Sequence, residues 1–168
     1  DQGFFEKRFR MLQNERGSFI DMTQTNAYRL CFAESDGLPG LIVDRYHDVF
    51  VAQIHTLGMD QLRPLIVEAL KNVFNPRSIY ERSDATVRLV DGLKDCPSQL
   101  LFGEEPRGEV IIQEHGISFY ADVIHGQKTG LFLDQRENRK ALQQYSAGKT
   151  ILNAFCYTGA FSLYGALA

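Results

Sequence analysis

The spacing of apolar residues along the chain predicts an alternation of helices and strands. In residues 1–16, apolar side chains recur every three or four positions, which predicts a helix that ends at Gly17. Three strands are predicted next, over residues 28–33, 38–46 and 49–55. The last two alternate apolar and polar positions across a two-residue turn, so they are expected to form a hairpin.

A helix over residues 60–74 is the clearest element of the pattern. Asp60 is expected to cap its start, and Pro64 falls in the first turn, where proline is tolerated. A strand over residues 78–81 follows, which indicates a β-α-β unit. Residues 93–107 contain no clear period and are predicted to be irregular.

The last third of the chain changes in character. Residues 110–114 and 117–123 predict a second hairpin, and a polar loop flanked by glycines follows it. A helix is expected from Asp134, a short apolar strand over residues 149–154, and another helix from Ala160. The mixture of helices and strands places the chain in the α/β class.

Composition and charge narrow the function only slightly. The net charge is -3, so the whole-chain charge gives no support to nucleic-acid binding. Cys31, Cys96 and Cys156 form no C-x-x-C pair, which argues against a zinc site and favours a reduced, cytoplasmic compartment. No apolar run approaches the roughly 18 residues of a membrane span, so no membrane partner is expected.

Residues 149–168 read as a strand, a loop and a helix, the arrangement in which open α/β sheets bind ligands at the carboxyl ends of strands. Asn153 stands at the strand's end, and Gly159 allows a close approach of the backbone to a ligand. The pattern is not the G-x-G-x-x-G of dinucleotide sites. Taken alone, it is more simply an ordinary capped turn.

Residues 127–149 are dense in polar groups beside glycine and phenylalanine. Five Lys or Arg face two acids there, so the segment is locally basic although the chain is acidic. A solvated helix surface would explain such a composition. A ligand site is the alternative.

Three segments together carry a family resemblance: GLPGLIVDRY at 37–46, HGQKTGLFLDQRENR at 125–139, and LNAFCYTGAFS at 152–162. In this order and spacing they resemble the ribosomal large-subunit methyltransferase I family, S-adenosylmethionine-dependent enzymes that methylate carbon 5 of a cytosine in 23S ribosomal RNA. A related guanine-N7 methyltransferase family shares part of the last two segments. Residues 34–40 favour the cytosine-5 family.

The resemblance implies a domain organisation. Family members carry a PUA domain, a small central α/β domain and a methyltransferase domain of Rossmann type. Residues 1–120 match the central domain, and residues 121–168 match the N-terminal part of the methyltransferase domain. The chain is therefore expected to be a fragment that lacks the PUA domain and most of the catalytic domain.

The same resemblance implies that S-adenosylmethionine is the cofactor and assigns residues to it. These residues form two groups. The first group, in the polar loop and the segment after it, is implied to line the methionine end of the cofactor, and the second group is the first cofactor motif. The implied residues are Gln127, Thr129, Gly130, Phe132, Asp134 and Arg136, and then Asn153, Phe155, Tyr157, Thr158 and Gly159. Position 154 departs from the family pattern, because Ala154 stands where family members often carry leucine.

Cytosine-5 methylation implies a thiolate that adds to carbon 6 and makes carbon 5 nucleophilic toward the methyl group. In the family this cysteine lies far downstream of the first cofactor motif. Cys156 does not match that position, so it is not expected to be the nucleophile. Only the first strand of the doubly wound domain is expected in this chain, and the acid expected after a second strand, for the cofactor ribose, is absent. The chain alone is therefore expected neither to methylate RNA nor to bind the cofactor tightly.

Other interpretations remain open. Residues 1–120 could be a non-enzymatic RNA-binding or assembly module, with basic residues at 7, 8, 10 and 16 touching phosphates. An unrelated enzyme would need the polar groups at 44–47 or 81–88, which read more simply as structural or interdomain ion pairs. The expected partner is ribosomal RNA, and the unpaired edge of the strand at 150–154 suggests self-association.

Overall fold

The computed structural model describes residues 1–83, 87–94, 98–106 and 109–168. It has an α/β fold, as the apolar pattern predicts. Cys96 and Asp84, which the sequence analysis singled out, lie outside the described residues. The helices within those ranges are α1 (Gln2–Gly17), α2 (Leu57–Gln61), α3 (Arg63–Phe74), α4 (Val87–Val90), α5 (Arg136–Ser146) and α6 (Ala160–Ala166).

The strands form a five-stranded sheet and a separate hairpin. The sheet has the order β1-β2-β3-β4-β5 and is antiparallel except for the parallel pair β3 and β4. The hairpin joins β6 to β7. The strands are β1 (Ala27–Phe32), β2 (Leu41–Tyr46), β3 (Val49–Ile54), β4 (Ser78–Glu81), β5 (Gln99–Gly103), β6 (Glu109–Glu114) and β7 (Ile117–Asp122).

The two faces of the sheet contact two different hydrophobic cores. On β3, Phe50 belongs to the core that includes α1 and α3, whereas Val49 and Val51 belong to the core that includes the hairpin and α6. Neighbouring residues of a strand point to opposite faces. Because both faces are covered here, β3 has an almost continuous apolar sequence.

Several predicted elements are confirmed. The first helix, the β2–β3 hairpin, the β6–β7 hairpin and the final helix all form within a few residues of their expected bounds. The predicted β-α-β unit is the succession of β3, α3 and β4, whose two strands are parallel. Gly37 adopts φ 66° at the end of a short 3-10 helix over Ala33–Asp36, so the strand predicted from residue 38 begins only at Leu41.

The helix predicted over residues 60–74 is divided. α2 begins after Thr56, whose hydroxyl accepts from the Met59 amide, and α3 begins at Arg63. Pro64 lies in the first turn of α3, as expected, and proline cannot continue the hydrogen bonding of a preceding helix. The prediction that Asp60 is the cap is wrong. Its carboxylate instead accepts from Arg63.

Two further predictions of local structure are wrong. Residues 99–103 were expected to be irregular but form the edge strand β5, because β4 supplies the hydrogen-bonding partner. Residues 149–154 were expected to form a strand but have no regular structure, with Leu152 91% exposed. No segment of the described chain pairs with them, and an extended segment needs a partner to become a stable strand.

Candidate cofactor-binding site

The loop after β7 is shaped by close backbone contacts. The Asp122 carboxylate accepts from the Ile124 and His125 amides, and the Gly126 amide donates to the Asp122 carbonyl. A Cβ atom at Gly126 would lie 2.3 Å from that carbonyl and 2.4 Å from the Tyr157 hydroxyl. Only glycine fits there, so the polar loop predicted between two glycines is a tight and specific structure.

Thr129 fastens this loop to the five-stranded sheet. Its buried hydroxyl donates to the Asp44 carboxylate at 2.5 Å and lies 2.8 Å from the Tyr46 hydroxyl. Because Thr129 has one proton to give, Tyr46 donates to Thr129 and accepts from the Leu131 amide at 3.1 Å. Burial raises the pKa of Tyr46, so this hydroxyl keeps its proton.

The sheet contributes two more contacts behind the loop. Asp44 also accepts two hydrogen bonds from Arg29, at 2.8 and 2.9 Å, and these bonds raise the pKa of Arg29. Arg82 donates to the Gly126 carbonyl at 2.7 Å. Asp44 and Arg82 were read from the sequence as structural or interdomain contacts, and for these two residues the hydrogen bonds confirm that interpretation.

Tyr157 connects the loop to the segment before α6. Its hydroxyl accepts from the Gln127 amide at 2.8 Å and donates to the Gly130 carbonyl at 3.1 Å. Its ring meets the edge of Phe132, with 5.8 Å between ring centroids. The two sequence segments predicted to form one site are therefore in direct contact.

A cavity of about 310 Å³ lies where these segments meet. Five of the predicted cofactor residues line it: Phe132, Asn153, Phe155, Tyr157 and Thr158. Gly159 adopts φ 80° and leads into α6, and Asn153 donates from its amide to the Ser162 hydroxyl at 2.8 Å. The cavity combines aromatic walls with few polar groups, which is typical of small-molecule sites.

The other predicted residues are placed differently. Gln127 contributes its backbone to the contact with Tyr157, and the Thr129 side chain points into the sheet contact described above. Asp134 and Arg136 line a second cleft, of about 350 Å³, on the side of α1 and β1. Leu131 lines both the cavity and the cleft, so the predicted residues are divided between two adjacent sites.

Sequence reasoning missed Arg139, which also lines the cavity. It was counted among the basic residues of a solvated surface, yet it is 1% exposed and pairs with Glu114 of β6 through two hydrogen bonds of 2.7 Å. A third bond runs to the Phe132 carbonyl at 3.0 Å. No spacing in the sequence could have revealed a partner 25 positions away on another element.

The two described cysteines differ in environment. Cys156 is exposed at the cavity, with its Sγ 3.8 Å from the Tyr157 carbonyl oxygen. Cys31 is buried in the core beside α1, and burial raises its pKa to about 12. A buried thiol that keeps its proton cannot act as a nucleophile.

The residues around the cavity are suited to S-adenosylmethionine in chemical terms. Phe132, Phe155 and Tyr157 offer aromatic faces for an adenine ring or for a sulfonium cation. The Asn153 amide and the Thr158 hydroxyl can hydrogen-bond a polar ligand group. Among the described residues, no cluster of ligating side chains could hold a metal ion, and no helix is long and apolar enough to cross a membrane.

Comparisons with known proteins agree on one family. The sequence model for S-adenosylmethionine-dependent methyltransferases matches residues 90–168. The chain is 46% identical over 165 residues to ribosomal RNA large subunit methyltransferase I of Aeromonas hydrophila, covering 98% of this chain and 41% of that protein. It is 45% identical over 168 residues to the protein of the same name from Pseudoalteromonas atlantica, covering 100% of this chain and 42% of the relative.

Solved structures give the same result for the fold. A candidate SAM-dependent methyltransferase of Streptococcus mutans superposes with a TM-score of 0.80 at 33% identity, over 99% of this chain and 42% of that one. A candidate methyltransferase solved in complex with SAH superposes with a TM-score of 0.81 at 33% identity and the same coverage. The chain thus spans about two fifths of the length of its relatives, and over that length it matches the ribosomal RNA large subunit methyltransferase I family.

Proposed function

We propose that this protein, at its natural length, transfers a methyl group from S-adenosylmethionine to carbon 5 of a cytosine in large-subunit ribosomal RNA. The observation that carries the proposal is the aromatic cavity in which Phe132 and Tyr157 bring the two family segments together. The names of the relatives support the ribosomal RNA substrate. The choice of cytosine rests on the resemblance of residues 34–40.

Within this mechanism the chain binds and orients. Bound S-adenosylmethionine supplies an electrophilic methyl group. The residues proposed to hold it are those that line the cavity, together with Gly130 and Gly159, where the backbone can come close. The roles of Asp134 and Arg136 at the methionine end of the cofactor stay a prediction, because both side chains line the neighbouring cleft.

The nucleophilic thiol of the proposed reaction is neither of the two described cysteines. Cys31 is buried and holds its proton, and Cys156 lies in the cofactor cavity itself. We therefore propose that these 168 residues alone do not methylate RNA and bind the cofactor only weakly. The ribosomal RNA substrate also makes the cytoplasm the proposed compartment.

Cofactor binding can be tested at Cys156 without any activity assay. Saturating S-adenosylmethionine should slow alkylation of Cys156 in the protein at its natural length, because the thiol lies in the cavity. Peptide mapping by mass spectrometry measures the rate. Unchanged labelling of Cys156 under conditions where calorimetry shows cofactor binding would place the cofactor elsewhere.

The target base can be tested on an unmodified large-subunit RNA transcript. Incubation with the enzyme and S-adenosylmethionine should create one site that resists bisulfite deamination, the signature of 5-methylcytosine. The related guanine-N7 activity would instead create a site of chemical strand cleavage at a guanine. Methylation of guanine alone would overturn the cytosine assignment and leave the methyltransferase assignment intact.

The non-enzymatic RNA-binding alternative loses part of its basis in the structure. Of the four basic residues proposed to touch phosphates from α1, Arg8 donates to the Asp36 carbonyl and Arg16 donates to the Arg29 carbonyl and to the Asp36 carboxylate. These two guanidinium groups hold the molecule together. Of the four basic residues, only Lys7 and Arg10 are exposed.

A further inference from the structure

The second cleft lies between β1 of the sheet and residues 131–136, which follow the loop after β7. Its lining includes Arg16 of α1 and Phe19 just after that helix, Arg29 and Phe32 of β1, and Lys128 of the loop after β7. Its volume of about 350 Å³ is sufficient for a small organic group. The proposed cofactor site leaves this cleft without a ligand.

Two large aromatic side chains stand exposed in this cleft. Phe19 is 64% exposed and Phe32 is 48% exposed. Phe32 also lies under the Arg29 guanidinium, 5.0 Å from its ring centroid. Exposed phenylalanines beside cations form the type of surface on which unstacked nucleic-acid bases bind.

Among the cations of the cleft, Lys128 is exposed and the Arg29 side chain is 35% exposed, whereas the Arg16 and Arg136 side chains are each 14% exposed. Asp36, paired with Arg16, and Asp44, paired with Arg29, have side chains that are 8% and 1% exposed, so both carboxylates lie behind the cations. Arg136 pairs with Glu137, an exposed carboxylate. Lys128 is exposed and forms no ion pair within the described part of the chain.

The cleft adjoins the cofactor cavity. Leu131 lines both, Phe132 lines the cavity, and Asp134 lines the cleft. A group held in the cleft would therefore lie one short segment away from a ligand in the cavity. Substrate and cofactor of a transfer reaction must approach each other in this way.

We propose that the cleft binds an unpaired nucleotide of the substrate RNA, with its base against Phe19 and Phe32 and its phosphate near Lys128. In place of the cofactor role that the resemblance implies, we assign the exposed Asp134 carboxylate to base reading, because it lines this cleft and not the cofactor cavity. A carboxylate accepts a hydrogen bond from the exocyclic amine of cytosine and repels the carbonyl that uracil carries there. The inference rests on the proposed function, since it takes RNA as the substrate.

The aromatic contact is tested in the protein at its natural length. The double variant Phe19→Ala and Phe32→Ala should bind a fluorescent single-stranded oligocytidine of about ten nucleotides roughly 5- to 100-fold more weakly, because each base stacked on an aromatic ring is lost with the ring. The matched control is Phe4→Ala, a phenylalanine that is 54% exposed outside the cleft. It should bind like the wild type.

Cofactor affinity and thermal unfolding are measured on the same variants. Both should stay unchanged in the double variant, because Phe19 and Phe32 are surface residues outside the cofactor cavity. Equal RNA affinity of the double variant and wild type would overturn the inference. If the wild type itself neither binds nor methylates RNA, the proposed function fails instead.

Two single substitutions test the polar contacts. Lys128→Gln should lower the slope of log affinity against log salt by about one unit, the effect of one lost phosphate contact. Asp134→Asn should reduce the preference for oligocytidine over oligouridine several-fold, because an amide can also donate to the uracil carbonyl. An Asp134→Asn variant that keeps the base preference but loses cofactor affinity would assign this carboxylate to the cofactor and overturn its role as base reader.

Discussion

Arg139 and Glu114 form an ion pair that is almost closed to solvent, with side-chain exposures of 2% and 0%. Two parallel hydrogen bonds and a third to the Phe132 carbonyl satisfy most of the guanidinium. The Tyr164 hydroxyl lies 3.1 Å from the same carboxylate, and burial raises the pKa of this tyrosine. The pair therefore links β6 to both helices that flank the candidate cofactor cavity.

Removing one member of this pair should be costly. Arg139→Ala leaves the Glu114 carboxylate buried without its cation, so we expect the free energy of unfolding to fall by roughly 3–5 kcal/mol. Denaturant titration measures the change. Lys140→Ala, at the exposed neighbouring position, should cost well under about 1 kcal/mol. Equal effects of the two substitutions would contradict the assigned role of the pair.

The two described cysteines should differ sharply in reactivity. Iodoacetamide is expected to label Cys156 in the folded protein and to label Cys31 only after unfolding. Raising the pH to 9.0 should still leave Cys31 unlabelled, because burial raises the pKa of Cys31 to about 12. Peptide mass mapping measures both rates.

The elevated pKa of Cys31 also has a consequence for stability. The folded state binds this proton more tightly than the unfolded state, so the contribution to stability is complete below pH 9.0 and is lost as the pH rises toward about 12. Labelling of Cys31 in the native protein near pH 9.0 at the rate of Cys156 would show that the site opens.

At this scale, the sequence identified the loop residues but not their partners. Gly126, Gly130 and Tyr157 fall inside segments recognised by resemblance, and all three take part in one set of close contacts. The partners of Thr129 lie 83 and 85 positions away along the chain. A distance of that kind depends on how the sheet folds, and no local pattern encodes it.

Helices and strands formed where the sequence predicted them if their apolar side chains had a partner to pack against. The β6–β7 hairpin forms as predicted, and α3 shows the expected period although the helix predicted over residues 60–74 is divided before it. The segment at residues 149–154 has an apolar strand sequence but no pairing partner, and β5 has a weak sequence but a partner in β4. Strand formation depends on the neighbour as much as on the sequence.

The loop after β7 is bound to β2 through Thr129 and to the segment before α6 through Tyr157. Substitutions at Thr129 test whether the contact with β2 positions the loop for cofactor binding. Thr129→Val removes the hydroxyl that Asp44 and Tyr46 share, while Thr129→Ser keeps it. In the protein at its natural length, we expect the valine variant to bind S-adenosylmethionine roughly 3- to 10-fold more weakly, as for one lost hydrogen bond. The serine variant should stay within about twofold of wild type.

Tyr46→Phe distinguishes positioning from direct contact. Tyr46 belongs to β2 and reaches the loop only through Thr129 and the Leu131 amide. If the hydroxyl network positions the loop, Tyr46→Phe should weaken cofactor binding in the same direction, and the double variant should be less than additive. If Thr129 instead touches the cofactor itself, Tyr46→Phe should leave binding unchanged. Calorimetry on the three variants decides between these cases.

On the scale of the whole molecule, the five-stranded sheet is the common support for everything else. One face carries α1 and α3, and the other carries the hairpin, Leu131 and α6. The candidate cofactor cavity and the neighbouring cleft open along the second face and its border. The boundary predicted near residue 120 stays a prediction. It falls within β7, and the β6–β7 hairpin shares one core with α6.

This arrangement leaves an apolar surface around the segment before α6. Leu152 is 91% exposed, and Leu163 and Leu167 of the last helix and its end are 37% and 60% exposed. Leu163 and Leu167 are four positions apart along the chain, and exposed apolar side chains that form a patch favour association. We therefore propose, for these 168 residues alone, that copies self-associate through this surface and not through a paired strand edge, since residues 149–154 form no strand.

Light scattering during size-exclusion chromatography tests this proposal. The chain should elute with an apparent mass that rises with concentration, and the double variant Leu152→Ser and Leu167→Ser should shift toward the 19.1 kDa monomer. The matched control is Ile111→Ser, which removes an exposed apolar residue from β6, 61% exposed and outside this surface. It should behave like the unmodified chain, because Ile111 is not covered when copies associate through the leucine surface. Covering roughly 100 Å² of a leucine stabilises a contact by about 2–3 kcal/mol, and a residue that stays exposed contributes nothing. A monomeric mass at every concentration would contradict self-association, and equal effects of the two variants would show that the surface is not the one used.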